Sequence, residues 1–231
     1  SVVTRPDDAP VRVVAMGASE LSPSQRGTAE QCLAWNKPQR GDSVLMKPTV
    51  AATMADLAVT TQRRDHAVAL FLTSSGYLAC EVATVPGSEV SGGNTYGTWQ
   101  SRNWLPGPVQ RLGMASTELD GGTVMVTGRV GDRVHRLVLD HGDGHTTTAR
   151  TQRGVFGVVS GATAVTKTAA LVAYDRDGNE IGRSPLYRPY DPSVPKSERH
   201  DEYDRCYVDS SGKVVYGNPG TDCLPAEPWS H

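Results

Sequence analysis

The stretch "RLVLDHGDGHTTTAR" (136–150) decides how this chain is read, because it sets Asp140, His141, Asp143 and His145 within six residues. Leu137 and Leu139 alternate ahead of the gap and a threonine-rich segment follows it, the pattern of two strands flanking a tight turn. Asp-Gly and Gly-X steps supply the positive φ angles that such turns need. A zinc site would require three or four converging ligands with outer partners to orient them. His141 and His145 stand at the two ends of the loop, yet no third ligand is identifiable. The stretch therefore reads as a hairpin turn, and no metal or cofactor is assigned to it.

The same pattern extends on both sides. "PVQRLGMASTEL" (108–119), "GTVMVTGRV" (122–130), "HRLVL" (135–139), "TTTAR" (146–150), "VFGVV" (155–159) and "AALVAYD" (169–175) are candidate strands. Turn signals recur about every ten residues, as in an antiparallel sandwich or barrel. "YDRDGNEIG" (174–182) spaces Asp175, Asp177 and Asn179 like part of a calcium loop. The twelfth position from Asp175 is Leu186, where a bidentate Glu is needed, and no helices flank the segment. It too reads as a hairpin.

The first hundred residues are less regular. "VRVVAM" (11–16) has the look of a buried strand. In "LSPSQRGTAEQCLAWNK" (21–37), Ser22 suits an N-cap, Pro23 the first helical position and Gln25 the third member of a capping box. Ala29, Cys32, Leu33 and Trp35 give that helix an apolar face, and Pro38 ends it. "ADLAVTTQRRDHAVALFLTSSGYLACEVATV" (55–85) predicts a three-strand meander turning at "QRRD" and "TSSG". Residues 50–58 also match a helical period through Val50, Met54, Leu57 and Ala58, but strand is preferred.

Ser88 to Pro108 is rich in Gly, Pro and Ser and predicts a surface loop or a join between two halves. It carries Tyr96, Trp99, Arg102 and Trp104, aromatic rings beside a hydrogen-bonding cation, which suit a recognition surface for sugar or peptide. The alternative is that both tryptophans anchor the loop to the core. After Leu186 comes the Pro- and charge-rich "YRPYDPSVPKSERHDEYD" (187–204). The organisation expected is an α+β region over 1–107, a β-sandwich-like region over 108–190, and an extension with a clipped hairpin over 191–231.

Cys32, Cys80, Cys206 and Cys223 allow two disulfides in three connectivities. Cys206 and Cys223 bracket a short hairpin turning at "SSGK", so they are paired here. Cys32 and Cys80 remain, and would join helix to strand. Two bonds imply an oxidising compartment outside the cytoplasm; four reduced thiols in a cytosolic protein are the alternative.

Hydrophobic content of 38% and charged content of 21% fit a folded globular chain of 231 residues. Net charge is −2 with no clustered basic surface, so nucleic acid is not an expected partner. Gly and Pro number 24 and 15 against two Phe, which favours short strands joined by turns. No stretch approaches the roughly 20 apolar residues that span a bilayer. The chain starts at Ser1 rather than Met, which suggests processing that removed a signal peptide or membrane anchor. No G-x-S-x-G, H-E-x-x-H or phosphate-loop motif occurs.

The span from "GRVGDRVHRLVLDHGDGHTTTARTQRGVFGVVSG" through "AALVAYDRDGNEIGR" resembles uncharacterised exported or membrane-anchored proteins of high-GC Gram-positive bacteria. In that group a strand–DG–strand unit precedes a DGxF-like turn and a closing YDxDGxEIG hairpin. Here the middle element reads "QRGVFGVV", so the aspartate of that turn is replaced. The resemblance covers about a third of the chain and implies an extracytoplasmic β-rich domain, with no catalytic residues to carry over. The expectation is an α+β, predominantly β fold, with an N-terminal helix and antiparallel meander followed by a β-sandwich-like region. The expected function is a non-enzymatic sensing or interaction domain, secreted or tethered to a membrane from outside this chain, for a protein, peptide or glycan ligand. The alternative is a secreted hydrolase acting on cell-wall or carbohydrate material.

Overall fold

The structure is a computed structural model, which describes residues 21–37, 50–84, 87, 89–116, 122–161, 163–187, 205–220 and 222–230. The expected strand at 11–16, the helix stop at Pro38 and most of the Pro-rich extension lie outside these residues.

Helix α1 (Pro23–Trp35) begins as its sequence dictates. Gln25 N–H donates to Ser22 Oγ at 3.3 Å, and Gln25 Oε1 accepts from Ser22 N–H at 2.9 Å, which closes the capping box. Gln25, Thr28, Ala29 and Cys32 form its buried face. That face lies on a meander of four antiparallel strands, β1 (Leu57–Arg63), β2 (His66–Leu72), β3 (Gly76–Ala83) and β4 (Ser91–Thr98), in that spatial order. The ambiguous segment before β1 is helical for one turn only, a 3-10 turn at Met54–Asp56.

Period-two alternation splits this first sheet into two working faces. Leu57, Ala69, Phe71, Leu78 and Cys80 pack against Ala29 and Cys32 of α1. Val59, Leu70 and Ala79 point the other way. Leu57 and Val59 serve opposite faces although two residues apart, and the pairing register shifts between them, as a β-bulge requires. The Cys32–Cys80 disulfide fastens α1 to β3.

Next in the chain come β5 (Trp104–Leu105), β6 (Val109–Ser116), β7 (Val124–Val130), β8 (Arg136–Asp140), β9 (Thr146–Thr148), β10 (Arg150–Gln152) and β11 (Val155–Val159). β12 (Ala170–Tyr174) and β13 (Glu180–Pro185) follow. A middle sheet runs β10-β11-β7-β6 and an outer sheet β13-β12-β8-β9. Every residue of β7 and of β11 is buried, because both faces of the middle sheet are covered. Val124, Val126, Phe156 and Val158 meet Leu137, Leu139 and Leu171 of the outer sheet. Met125 and Val159 meet Val68 of the first sheet. The layers are therefore helix, first sheet, middle sheet, outer sheet. The 107/108 junction lies between β5 and β6, and residues on either side share one core: Val59, Leu70 and Leu105 pack with Leu112 and Val155.

At the C-terminal end, β14 (Tyr207–Val208) pairs antiparallel with β15 (Val214–Tyr216) and parallel with β16 (Leu224–Pro225). The Cys206–Cys223 bond clips this unit. β17 (Glu227–Pro228) then pairs with β5, and Trp229 is buried beside Leu105 and Val155. Both disulfides are consistent with an extracytoplasmic location. No helix among the described residues is long and apolar enough to cross a membrane.

The segment expected to be a surface loop or a join between two halves holds regular structure: its described residues 89–108 contain β4 and β5. Glycine here makes room for pairing rather than flexibility. A Cβ on Gly92, whose φ is +148°, would stand 2.0 Å from Glu81 O and 2.9 Å from the Trp35 ring. A Cβ on Gly97 would stand 2.9 Å from the Tyr77 ring.

Candidate functional site

The histidine turn closes on itself. Asp140 Oδ1 accepts from Gly142 N–H, and Gly142 and Gly144 hold φ of +83° and +92°. His141 turns inward and is 1% exposed. Its Nε2 lies 2.7 Å from Thr147 Oγ1 and its Nδ1 2.8 Å from Thr163 Oγ1, so both ring nitrogens face hydroxyls. His145 stays half in solvent with its Nδ1 3.1 Å from Asp143 Oδ1. The two imidazoles thus serve different partners. The Asp175 turn behaves alike: Asp175 Oδ1 accepts from Asp177 N–H and Asn179 N–H, and Oδ2 from the Asn179 amide. Among the described residues no group of three or more His, Cys, Asp or Glu is placed to hold a metal ion.

The four aromatic and cationic candidates separate. Tyr96 sits on β4 and is 40% exposed. Trp104 pairs with Pro228 and packs against Tyr207 and Tyr216. Arg102 contributes its carbonyl to the interior. Trp99 is half-buried, its Nε1–H donating to Thr73 O at 2.8 Å.

What organises this region is Arg129, fully buried on β7. Nε donates to Gln110 Oε1 at 2.8 Å and Nη1 to Arg102 O at 2.7 Å. Nη2 donates to Ser101 O at 3.1 Å and Tyr216 Oη at 3.0 Å. Its guanidinium carbon lies 4.3 Å from the Trp99 ring centroid and 4.6 Å from that of Trp229. Each of these partners is formally neutral. Burial lowers the Arg129 pKa from its ordinary value and raises those of Tyr77 and Tyr216, so the two phenols stay protonated. One local signal marks Arg129, a cation inside the largely apolar run "VMVTGRV", but its place near the strand end reads as an exposed terminus.

In front of this cluster opens a cleft of about 310 Å³, where the first, middle and outer sheets meet the C-terminal hairpin. The rings of Tyr77, Trp99, Tyr207 and Tyr216 line it. Gln110, Arg111 and Leu112 of β6 line it too, as do Ser184 to Leu186. Arg111 Nη1–H donates to Leu186 O at 2.8 Å. Arg205 is exposed at the edge. No Asp, Glu or His is among the described residues that line it. The volume and the mix of rings with a few polar groups are those of a small-molecule site. Of the residues expected to form a recognition surface, Trp99 alone lines this cleft.

Comparison with protein-family models, with curated proteins and with solved structures gives no match for the chain.

Proposed function

We propose that the protein is a non-enzymatic, extracytoplasmic ligand-binding domain whose site is the cleft beside Trp99. The observation that carries this reading is the composition of the cleft: four aromatic rings and several amides and hydroxyls, without a carboxylate or imidazole among its described lining residues. Acid–base hydrolysis needs a positioned proton donor and acceptor. Recognition needs flat apolar area and directed hydrogen bonds, which Tyr77, Trp99, Tyr207 and Gln110 supply. Secretion or membrane tethering accords with the two disulfides and with the resemblance to exported and membrane-anchored proteins of high-GC Gram-positive bacteria.

The test is a screen of small aromatic fragments against thermal stability, using the protein and a Ser184→Trp variant whose indole fills the cleft. A ligand that stabilises only the open cleft is the expected result. Fragments that stabilise both proteins equally would move the site elsewhere. Turnover of cell-wall glycan by the purified protein would favour hydrolysis instead.

A further inference from the structure

We propose that the outer edge of β4 pairs with the same edge of a second copy of this chain, joining two first sheets into one across a two-fold axis. Six strands bound the three four-stranded sheets: β1, β4, β6, β9, β10 and β13. A free edge offers unpaired backbone donors and acceptors, and folded chains blunt it by shortness, charge, proline, a bulge or a cover. β9 and β10 have three residues each. β13 carries Glu180, Arg183 and Pro185. The pairing of β6 shifts register between Arg111 and Gly113, and that of β1 between Leu57 and Val59. β4 has none of these devices. It pairs with β3 at every position from Ser91 to Thr98 without a register shift, and it holds no proline. No charged residue occurs from Val90 to Ser101. Among the described residues no other strand pairs with its far side, and six of its eight residues are exposed. Val90 and Tyr96, 44% and 40% exposed, are two of the three exposed large apolar side chains among the described residues.

The alternation of an antiparallel ladder fixes which backbone groups face outward. Trp99 N–H donates to Ser75 O at 3.0 Å, one position past the end of the β3–β4 ladder. Counting back by twos, Gly97, Thr95, Gly93 and Ser91 turn their backbone groups to β3. Gly92, Asn94, Tyr96 and Thr98 therefore present N–H and C=O to the outside. Two copies related by a two-fold axis normal to the sheet pair these residues with one another. One register suits the side chains as well, with Asn94 opposite its own mate and Tyr96 opposite the partner's Gly92. Tyr96 lies on the helix side of the sheet, opposite Leu78. On that side Gly92 bares the Trp35 ring, 2.9 Å from where a Cβ would stand. The Tyr96 ring then covers a glycine and an indole that the partner's own strand leaves open. The same register sets Val90 against the partner's Thr98. Strands without charge meet free of the repulsion that like charges cause when directly opposed. A single strand pair buries less than the standard interface of about 1,600 Å², so the dimer is a weak one.

The experiment is analytical ultracentrifugation of the full chain at low ionic strength, from about 1 to about 1,000 μM, the span in which a weak dimer forms. The parent should pass from monomer to dimer within that range. Asn94→Lys and Asn94→Asp each set like charges about 5.5 Å apart across the axis and should weaken association at least about tenfold. An equimolar mixture of the two variants places opposite charges there and should dimerise at least as tightly as the parent. Recovery in the mixture also shows that each variant is folded. Tyr96→Ser, at an exposed position, should weaken the dimer by a similar factor. A parent that stays monomeric to about 1,000 μM overturns the proposal and leaves the edge to a strand from another protein. A dimer indifferent to all three substitutions lies on another surface and overturns it as well. Dissociation by both Asn94 variants without recovery in the mixture overturns the register centred on Asn94.

Discussion

The Arg129 guanidinium stands 4.3 Å from the Trp99 ring centroid, and Trp229, at the far end of the sequence, contacts it from 4.6 Å. One cation on the middle sheet therefore collects the segment after β4 and the last residues of the chain. Its hydrogen bonds to Ser101 O and Arg102 O fix the backbone between Trp99 and Trp104.

Replacing Arg129 should unfold more than its own contacts. Arg129→Met takes the guanidinium donor from the Arg102 carbonyl and from Gln110 Oε1, while Ser101 O keeps the Tyr216 hydroxyl, and a loss of about 3 kcal/mol is expected. Arg129→Lys should fall close behind, since an ammonium cannot reproduce the planar fork. Urea denaturation checks both. Stability within about 0.5 kcal/mol of the parent for either variant would remove Arg129 from the centre of the account.

Glu81 gives the fold a pH dependence. It is 4% exposed between the first and middle sheets, and among the described residues its Oε1 has no hydrogen-bond partner, nor has nearby Thr127 Oγ1. A Cβ on Gly113 would stand 2.8 Å from the first oxygen and 2.9 Å from the second, so the two lie around one point. Burial pushes the Glu81 pKa up to about 7 from an ordinary 4.5. A carboxyl with a raised folded pKa favours the protonated native state. Its contribution is complete below pH 4.5, declines as pH rises, and is gone above about 7. The difference is on the order of 3 kcal/mol. Glu81→Gln should flatten the stability profile across that window and stabilise the protein at pH 8. An unchanged slope in the variant would assign the pH dependence to other groups.

Both disulfides should resist chemical detection of thiols and contribute separately. Titration of unreduced, denatured protein should find almost no free thiol. Cys206 and Cys223 are 17 residues apart and Cys32 and Cys80 are 48 apart. Loop-closure entropy then predicts losses of about 3 and about 4 kcal/mol for the respective paired Ala variants. Four reactive thiols, or a peptide map joining Cys32 to Cys206, would contradict the pairing.

His141 should behave as a core residue. His141→Ala removes one partner each from the Thr147 and Thr163 hydroxyls and should cost about 2 kcal/mol, while His145→Ala, half exposed, should change stability little. Elemental analysis should give no stoichiometric zinc for the parent, so neither substitution should alter its metal content.

Local rules made much of this fold legible. The capping box at Ser22 and Gln25, the turn at Gly142 and Gly144, and the strands from Val109 to Pro185 follow from residue type and spacing over a few positions. So does the Cys206–Cys223 clip. β4 was hidden because "SGGNTYGT" has poor strand propensity; its pairing depends on Trp35 and Tyr77 lying against its glycines, contacts made over tens of residues. The cleft was hidden for the same reason. Trp99 is visible as an aromatic in a Gly-rich segment, but Arg111, Tyr207 and Tyr216 reach it only through the stacking of three sheets and the return of the C-terminal hairpin. Trp104 looked equivalent to Trp99 in sequence, yet it packs against Tyr207 and Tyr216 and is absent from the described lining.

The most direct test of the account follows the indole N–H of Trp99, which is fixed by its bond to Thr73 O and lies in the cleft wall. Protein labelled with nitrogen-15 is titrated with the small aromatic fragments and its two-dimensional amide and indole spectrum recorded. The account predicts saturable shifts of the Trp99 indole and of the Tyr77 and Tyr207 amides, with the Trp35 indole, which lies against Gly92, unmoved. Shifts confined to the exposed face around Tyr96, or a spectrum unchanged at high concentrations of the fragments, would contradict it.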